Sequence, residues 1–407
     1  MDFLRFLREN ANWLAVGLLL NFTSSYGQTF FISLFAAEVM AEFDLAHGQW
    51  GGAYTIGTMM SAGLMLWAGA LTDTYRVRVL APIVFCALAL SCLLMAVNPF
   101  ALALPFIIFA LRFSGQGMAT QISTVAMARW FSVNRGRALA VASLGFAVGQ
   151  AFLPFVFVAA KAFLDWRMLW VISASLSIVA IIPVWMMLKK ERTPQSHASN
   201  QSSTGMLDRH WSRADMLRHP LFWLLLPAIL GPASWGTALF FHQVHLAEVK
   251  QWSHAEFVAL MPMFTAVAVA ATFASGWAVD RFGAGWIMAF QGLPIAAGFL
   301  TIAAAQDLAG LAVSMVLLAI GTGTTATIPG AFAAEYYGTR HIGGIKAIWT
   351  SCMVLGSAVG PGITGVLIDF GYDFGVQANL IGVYFLGSAT LLTLGVFRFS
   401  PVLSART

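Results

Sequence analysis

Charge is what this chain has least of. Of its 407 residues 10% are Asp, Glu, Lys or Arg, against roughly 25% in a soluble domain, and 59% are hydrophobic where roughly 45–50% is usual. No soluble fold hides that much apolar surface. Cysteine is scarce too: Cys86, Cys92 and Cys352 fall inside apolar runs without metal-ligand spacing, so they read as packing residues and no metal is expected. A phosphate-binding G-x-x-x-x-G-K-[ST] is missing, which excludes power from ATP bound to this chain. Also missing are paired carboxylates within the apolar runs and any arrangement of nucleophile and base, so no enzyme and no cofactor is expected. Gly321-Thr-Gly323-Thr-Thr-Ala326 fits a dinucleotide-binding spacing, but it lies inside an apolar run with no preceding strand and reads as helix packing.

What is present is a series of long apolar runs, each enough to cross about 30 Å of hydrocarbon as a helix. Continuous runs without period-two alternation point to helices rather than a barrel. The spans are expected at 12–38, 48–71, 78–97, 100–128, 137–161, 166–188, 220–247, 255–279, 284–305, 308–334, 342–368 and 374–398. The first run carries Asn21, Ser24, Tyr26 and Gln28 and no small-residue cleavage site, so it reads as a retained helix. Asn21-Phe-Thr23 is then a glycosylation sequon buried in a helix and is not expected to be modified.

The only long polar segment, 189–219, is expected to be a solvated linker between two six-helix bundles, 1–188 and 220–407. Eighteen Lys and Arg fall on the side shared by both termini and the linker, against Lys161, Arg167 and Lys250 opposite. Positive loops stay cytoplasmic, so both termini are expected inside the cell membrane, and the basic pI follows from this bias rather than from nucleic-acid binding. The halves also repeat at an offset near 209 residues. Ser25-Tyr26-Gly27 matches Ser234-Trp235-Gly236, Gly69 and Asp73 match Gly276 and Asp280, and Gly145 and Gly149 match Gly356 and Gly360. Six intervening helices give the copies the same orientation, a parallel repeat able to rock about a central site.

These residues resemble the major facilitator superfamily over nearly the whole chain. Its loop between helices 2 and 3, G-x-L-x-D-x-x-G-R-[KR], appears as Gly69-Ala-Leu71-Thr-Asp73-Thr-Tyr-Arg76-Val-Arg78, with Arg76 in place of the second glycine. The second copy, Gly276-Trp-Ala-Val-Asp280-Arg281-Phe-Gly283, keeps that glycine. Within the superfamily, Arg112-Phe-Ser-Gly115-Gln-Gly117, Ala128-Arg129-Trp130-Phe131 and Arg135-Gly136-Arg137-Ala138 are similar to monocarboxylate and oxalate-formate porters, as is Gly145-x3-Gly149-x4-Pro154. The resemblance implies an all-α integral membrane fold of twelve helices in two pseudo-symmetric six-helix bundles. It departs from those porters in having Tyr26 and Gln28 in helix 1 and no charge in helix 8 between Phe257 and Ala278, so their charge-based coupling does not carry over.

Arg112 is the one charge placed near the bilayer centre. A central arginine costs about 2.5 kcal/mol or more, and no intramembrane Asp or Glu is available to pair with it. Its planar fork of donors complements a carboxylate, and Gln116, four residues on, shares its face. The competing reading has Arg112 bound to backbone carbonyls and serving helix packing. Tyr26, Gln28, Trp235 and Trp349 are candidates for the walls of a midplane site, with ordinary packing as the alternative for each. His242 is the candidate for taking up a coupled proton, set against a solvated position near the interface. Asp73, Arg78, Arg129 and Asp280 are candidates for a cytoplasmic latch between the bundles.

The function expected from these features is secondary transport by alternating access of a small organic anion, a monocarboxylate first, with a proton or by exchange, in a monomer. Efflux of hydrophobic compounds, suggested by fourteen Trp and eighteen Met, is one alternative. A membrane sensor without flux is the other.

Overall fold

The computed structural model describes residues 3–69, 71–131, 135–189, 204–338 and 340–399. Those residues are almost all helical, contain no strand, and fall into two compact units, Met1–Ser199 and Asn200–Thr407. The first unit holds α1 (Ala11–Thr23), α2 (His47–Ala68), α3 (Val77–Val97), α4 (Ala101–Met127), α5 (Arg135–Ala160) and α6 (Trp166–Met187). The second holds α7 (Pro220–Phe241), α8 (Met261–Phe282), α9 (Ala284–Ala304), α10 (Leu308–Tyr337), α11 (Ile342–Asp369) and α12 (Phe374–Phe399).

Among the described residues ten helices, α3 to α12, are long and apolar enough to cross a membrane, where twelve were expected. The two that differ have physical reasons. Beyond α1 the first run continues only as short pieces, Ser24–Gly27, Thr29–Ile32, Ser33–Phe35 and Ala36–Phe43. The second run, α2, is continuous over 22 residues but is diluted by Gly51, Gly52, Gly57 and Gly63 and by Gln49, Thr55 and Thr58.

Local chemistry sets the ends. Asp165 and Asp307 accept the backbone N–H groups of Arg167 and Gly310 and so cap α6 and α10. Gly283 and Gly338 close α8 and α10 at φ +82° and +78°, a conformation open to glycine and strained for other residues. The cations expected on the side opposite the termini are all engaged. Lys161 pairs with Glu38 and donates to Leu34 O at 2.9 Å. Arg167 donates to Ala96 O (2.9 Å), Asn98 O (3.0 Å) and Glu42 (3.0 Å), and Lys250 donates to Ala303 O (2.8 Å) and Ala305 O (2.9 Å). Orphan carbonyls at the ends of α3 and α9 are thereby satisfied.

The internal repeat is visible in the packing. In each unit the first helix lies on the fifth, the second on the fourth and the third on the sixth. Gly145 and Gly149 of α5 lie against Leu18 and Ser25; Gly356 and Gly360 of α11 lie against Leu230 and Ser234. Small residues let these helices approach to backbone contact, which is where most of the attraction between helices in lipid arises. Each unit has its own apolar core, around Phe85, Met127 and Trp130 in the first and Met288, Tyr337 and Trp349 in the second.

Part of the segment expected to be a solvated linker is folded onto the second unit. The Trp211 backbone N–H donates to Tyr337 O at 3.1 Å, its indole N–H to Met206 O at 2.9 Å, and its ring meets His219 edge-on at 4.9 Å. Residues 190–203, which make up the rest of that segment, lie outside those described.

Candidate functional site

The break in the first run is where the site begins. Ser24 Oγ donates to Asn21 O at 2.7 Å, and Gln28 takes up an extended conformation (φ −87°, ψ 153°). A helix interrupted in this way frees backbone carbonyls that need partners inside a membrane. Arg112 supplies one: its Nη1 donates to Gly27 O (3.4 Å) and to Thr29 Oγ1 (3.2 Å). Thr29 Oγ1 is in turn 2.5 Å from the Tyr54 hydroxyl, and the guanidinium lies 5.3 Å from the Tyr54 ring centroid. Arg112 is 1% exposed, its Nε finds no acceptor, and among the described residues no carboxylate pairs with it. The site therefore contains a buried positive charge with no carboxylate beside it among the described residues.

The partner helix is irregular at the same level. Arg112–Ala119 forms π-helical turns inside α4, a local widening that recurs at functional positions. Gly115 meets Gly27 there: a Cβ on Gly115 would lie 2.6 Å from the Gly27 Cα. No side chain fits between the two irregular segments.

Beside this contact lies a cavity of about 550 Å³ whose polar lining is Asn21, Gln28, Gln116, Thr120, Ser123, Thr124 and Ser143. Leu139, Ala142 and Phe146 of α5 form its apolar wall. Gln28 and Gln116, both expected in a binding site, thus share one pocket. Arg112 does not line it; Arg112 donates to the Gly27 carbonyl and the Thr29 hydroxyl, the residues on either side of Gln28, and lies four residues before Gln116 on α4. Tyr26 is turned into an aromatic cluster with Phe31 (5.2 Å) and Phe157 (6.4 Å).

The remaining expected residues have the following surroundings. In the second unit Trp235 meets Tyr384 edge-on at 5.9 Å, and Trp349 is buried between Phe332 and Tyr337. His242 sits at the end of α7, 2% exposed, with Nε2 3.0 Å from Pro361 O, rather than in the solvated position considered for it. Because a carbonyl only accepts, that nitrogen carries the proton. Arg129 Nη1 donates to Thr72 O at 2.7 Å, and Arg78 lies 4.8 Å from the Trp185 ring. The side chains of Asp73 and Asp280 lie outside those described.

Sequence reasoning passed over Asn21, Thr120, Ser123, Thr124 and Ser143. A signal for part of this set was present: Arg112, Gln116, Thr120 and Thr124 recur every four residues, a polar stripe along an otherwise apolar span.

Comparison with known proteins adds the following. The family model described as the Major Facilitator Superfamily matches residues 17–272 and 233–405. No curated protein sequence matches the chain. Solved structures with a similar fold include a bacterial homologue of the human lysosomal transporter Spinster, inward-facing and unoccupied, with TM-score 0.70 and 16% identity over 97% of this chain and 98% of that one. The same homologue in its occupied form gives 0.66 and 15% over 98% and 95%. A point mutant of the nucleoside transporter NupG gives 0.69 and 13% over 96% and 100%. At such identities the likeness concerns the fold alone.

Proposed function

This chain belongs to the major facilitator superfamily, a family of multi-pass membrane transporters of small solutes, and from that premise we propose that it moves a small organic anion by alternating access. The observation that carries the proposal is Arg112, a buried guanidinium without a carboxylate partner among the described residues, bonded to the two neighbours of Gln28, which lines a polar pocket. An uncompensated positive charge is costly in a low-dielectric interior, and an anion docking nearby relieves that cost. Gln28 and Gln116 provide N–H donors that face the anion, while Arg112 contributes its charge from behind and holds Gln28 in place.

A monocarboxylate taken up with one proton fits this reading. A membrane potential negative inside opposes inward movement of one negative charge by about 2.3 kcal/mol per 100 mV, and a cotransported proton removes that term. His242 is the group we assign to the coupled proton. Asp73, Arg78, Arg129 and Asp280 are assigned to a gate at the cytoplasmic face, in a monomer of the cell membrane with both termini cytoplasmic. A neutral polar solute is the second reading, favoured by a lining that among the described residues holds no charged side chain. Efflux of hydrophobic compounds draws less support from a pocket so rich in amides and hydroxyls.

Proteoliposomes test the proposal. Saturable uptake of labelled C3 to C6 monocarboxylates, accelerated by an inside-alkaline pH gradient, is the expected result. Absence of saturable carboxylate uptake, or inhibition by neutral polyols alone, overturns it.

A further inference from the structure

The pocket wall has a hydrogen-bonding sense, and Asn21 fixes it. Its Nδ2 donates to Ser123 Oγ and to Ala142 O, both at 2.9 Å. The Ala142 carbonyl only accepts, so the amide cannot be reversed, and both Asn21 N–H groups are used. What remains is Oδ1, which has no protein partner among the described residues and belongs to a side chain lining the cavity. Asn21 therefore offers the pocket an acceptor and nothing else.

The hydroxyls around it have the same sense. Each Ser or Thr has one proton to give. Thr120 donates its proton to Gln116 O, Thr124 to Thr120 O at 2.9 Å, and Ser143 to Ala140 O at 2.8 Å. Toward a solute these three oxygens present lone pairs. Against four acceptors stand two carboxamides with N–H groups to offer: among the described residues that of Gln28 makes one long hydrogen bond, 3.5 Å to Ser24 Oγ, and that of Gln116 makes none. A bare alkanoate carries acceptors alone, so it satisfies the two carboxamides and must break an existing hydrogen bond for every further polar contact. A solute with its own hydroxyls meets the acceptors without that loss.

We propose that the transported anion is a hydroxylated carboxylate of the sugar-acid type. Its carboxylate lies toward Gln28 and Gln116, over the charge of Arg112, and its hydroxyls donate to Asn21 Oδ1 and to the oxygens of Thr120, Thr124 and Ser143. A cavity of about 550 Å³ admits a six-carbon chain, and Phe146 covers the carbon face. This inference rests on the anion reading above and adds the number and sense of its polar groups.

Three probes of equal chain length separate the two. D-gluconate has both carboxylate and hydroxyls, hexanoate only the carboxylate, and sorbitol only the hydroxyls; each competes for binding to purified full-length protein and for uptake by proteoliposomes. Gluconate is expected to bind about 100-fold more tightly than either of the others. Thr124→Val and Ser143→Ala, both at exposed positions, are each expected to shrink the gluconate-to-hexanoate ratio about tenfold while the protein melts at an unchanged temperature. Hexanoate binding as well as gluconate overturns the hydroxyl requirement and leaves the anion reading standing. Sorbitol binding as well as gluconate removes the anion and leaves the acceptor wall. Failure of all three to bind overturns both.

Discussion

Arg112 carries two opposing consequences. Its charge is the feature that an anion can use, and it is also a buried cation with an unsatisfied Nε and, among the described residues, no carboxylate partner. Replacing such a group by an apolar side chain removes a desolvation penalty of several kcal/mol per ion, against the loss of the hydrogen bonds to Gly27 O and Thr29 Oγ1. Arg112→Leu is therefore expected to melt at a higher temperature than wild type in detergent while losing uptake; a lower melting temperature with uptake retained contradicts the role given to it. Gly115 is the reverse case, since its neighbour is backbone that cannot move aside. Gly115→Ala is expected to cost about 1–3 kcal/mol, read as a clear drop in melting temperature, and a neutral result would show that the Ser24–Gly27 piece and α4 are less closely packed than 2.6 Å implies. Sequence alone made Arg112, Gln116 and Gln28 visible, because charge and amides are rare in apolar runs. It could not show Arg112 turning to the Gly27 carbonyl, because nothing in the residue order marks the break that frees that carbonyl. Ser123 and Ser143 stand outside the four-residue stripe, and a Ser or Thr in a membrane helix looks the same whether it faces a neighbour or a cavity.

Among the helices, the two units keep the same pairings but differ where the charge is. Position 112 of the first unit corresponds, at the offset of 209, to Gly321 in α10, where a Cβ would meet Ile295. Gly27 corresponds to Gly236, which has open space around it in an uninterrupted α7. The interruption in the first run, the π-helical turns of α4 and the guanidinium are thus one local departure from the repeat. The glycine contacts give a comparison between units. A Cβ on Gly360 would lie 2.8 Å from the Ser234 carbonyl carbon, whereas on Gly149 its nearest neighbour is the Ser25 hydroxyl, which can rotate. Gly360→Ala is expected to lower the melting temperature more than Gly149→Ala, and equal effects would argue against backbone contact in the second unit. The folded part of the interdomain segment makes a pH-dependent contribution of its own. His219 Nδ1 accepts the Leu221 N–H at 3.3 Å at the start of α7, and burial, with Arg209 nearby, lowers its pKa from the ordinary 6.5. The unfolded chain then takes up this proton first as the pH falls, so the stability from the neutral ring is complete above about pH 6.5 and declines below it. His219→Asn is expected to flatten the melting curve between pH 7 and 5; an unchanged slope would exclude the imidazole as its cause.

Over the molecule as a whole, apolar run length was enough to read an all-helical membrane fold, the repeat foretold two halves built alike, and the basic bias singled out three cations on the sparse side, each of which donates to backbone carbonyl oxygen. The first two spans depart most from expectation: in the first, Asn21 and Gln28, which line the pocket, are among the residues that dilute its hydropathy, and in the second so is Gly57, which lies against the Pro105 carbonyl. Function and legibility thus compete within one segment. The decisive comparison is uptake of labelled gluconate into proteoliposomes under an inside-alkaline pH gradient, wild type against Arg112→Gln, with both proteins shown to be folded. A fall of about 100-fold or more in the variant is predicted. Uptake by Arg112→Gln at the wild-type rate would mean that the buried guanidinium has no part in moving the anion.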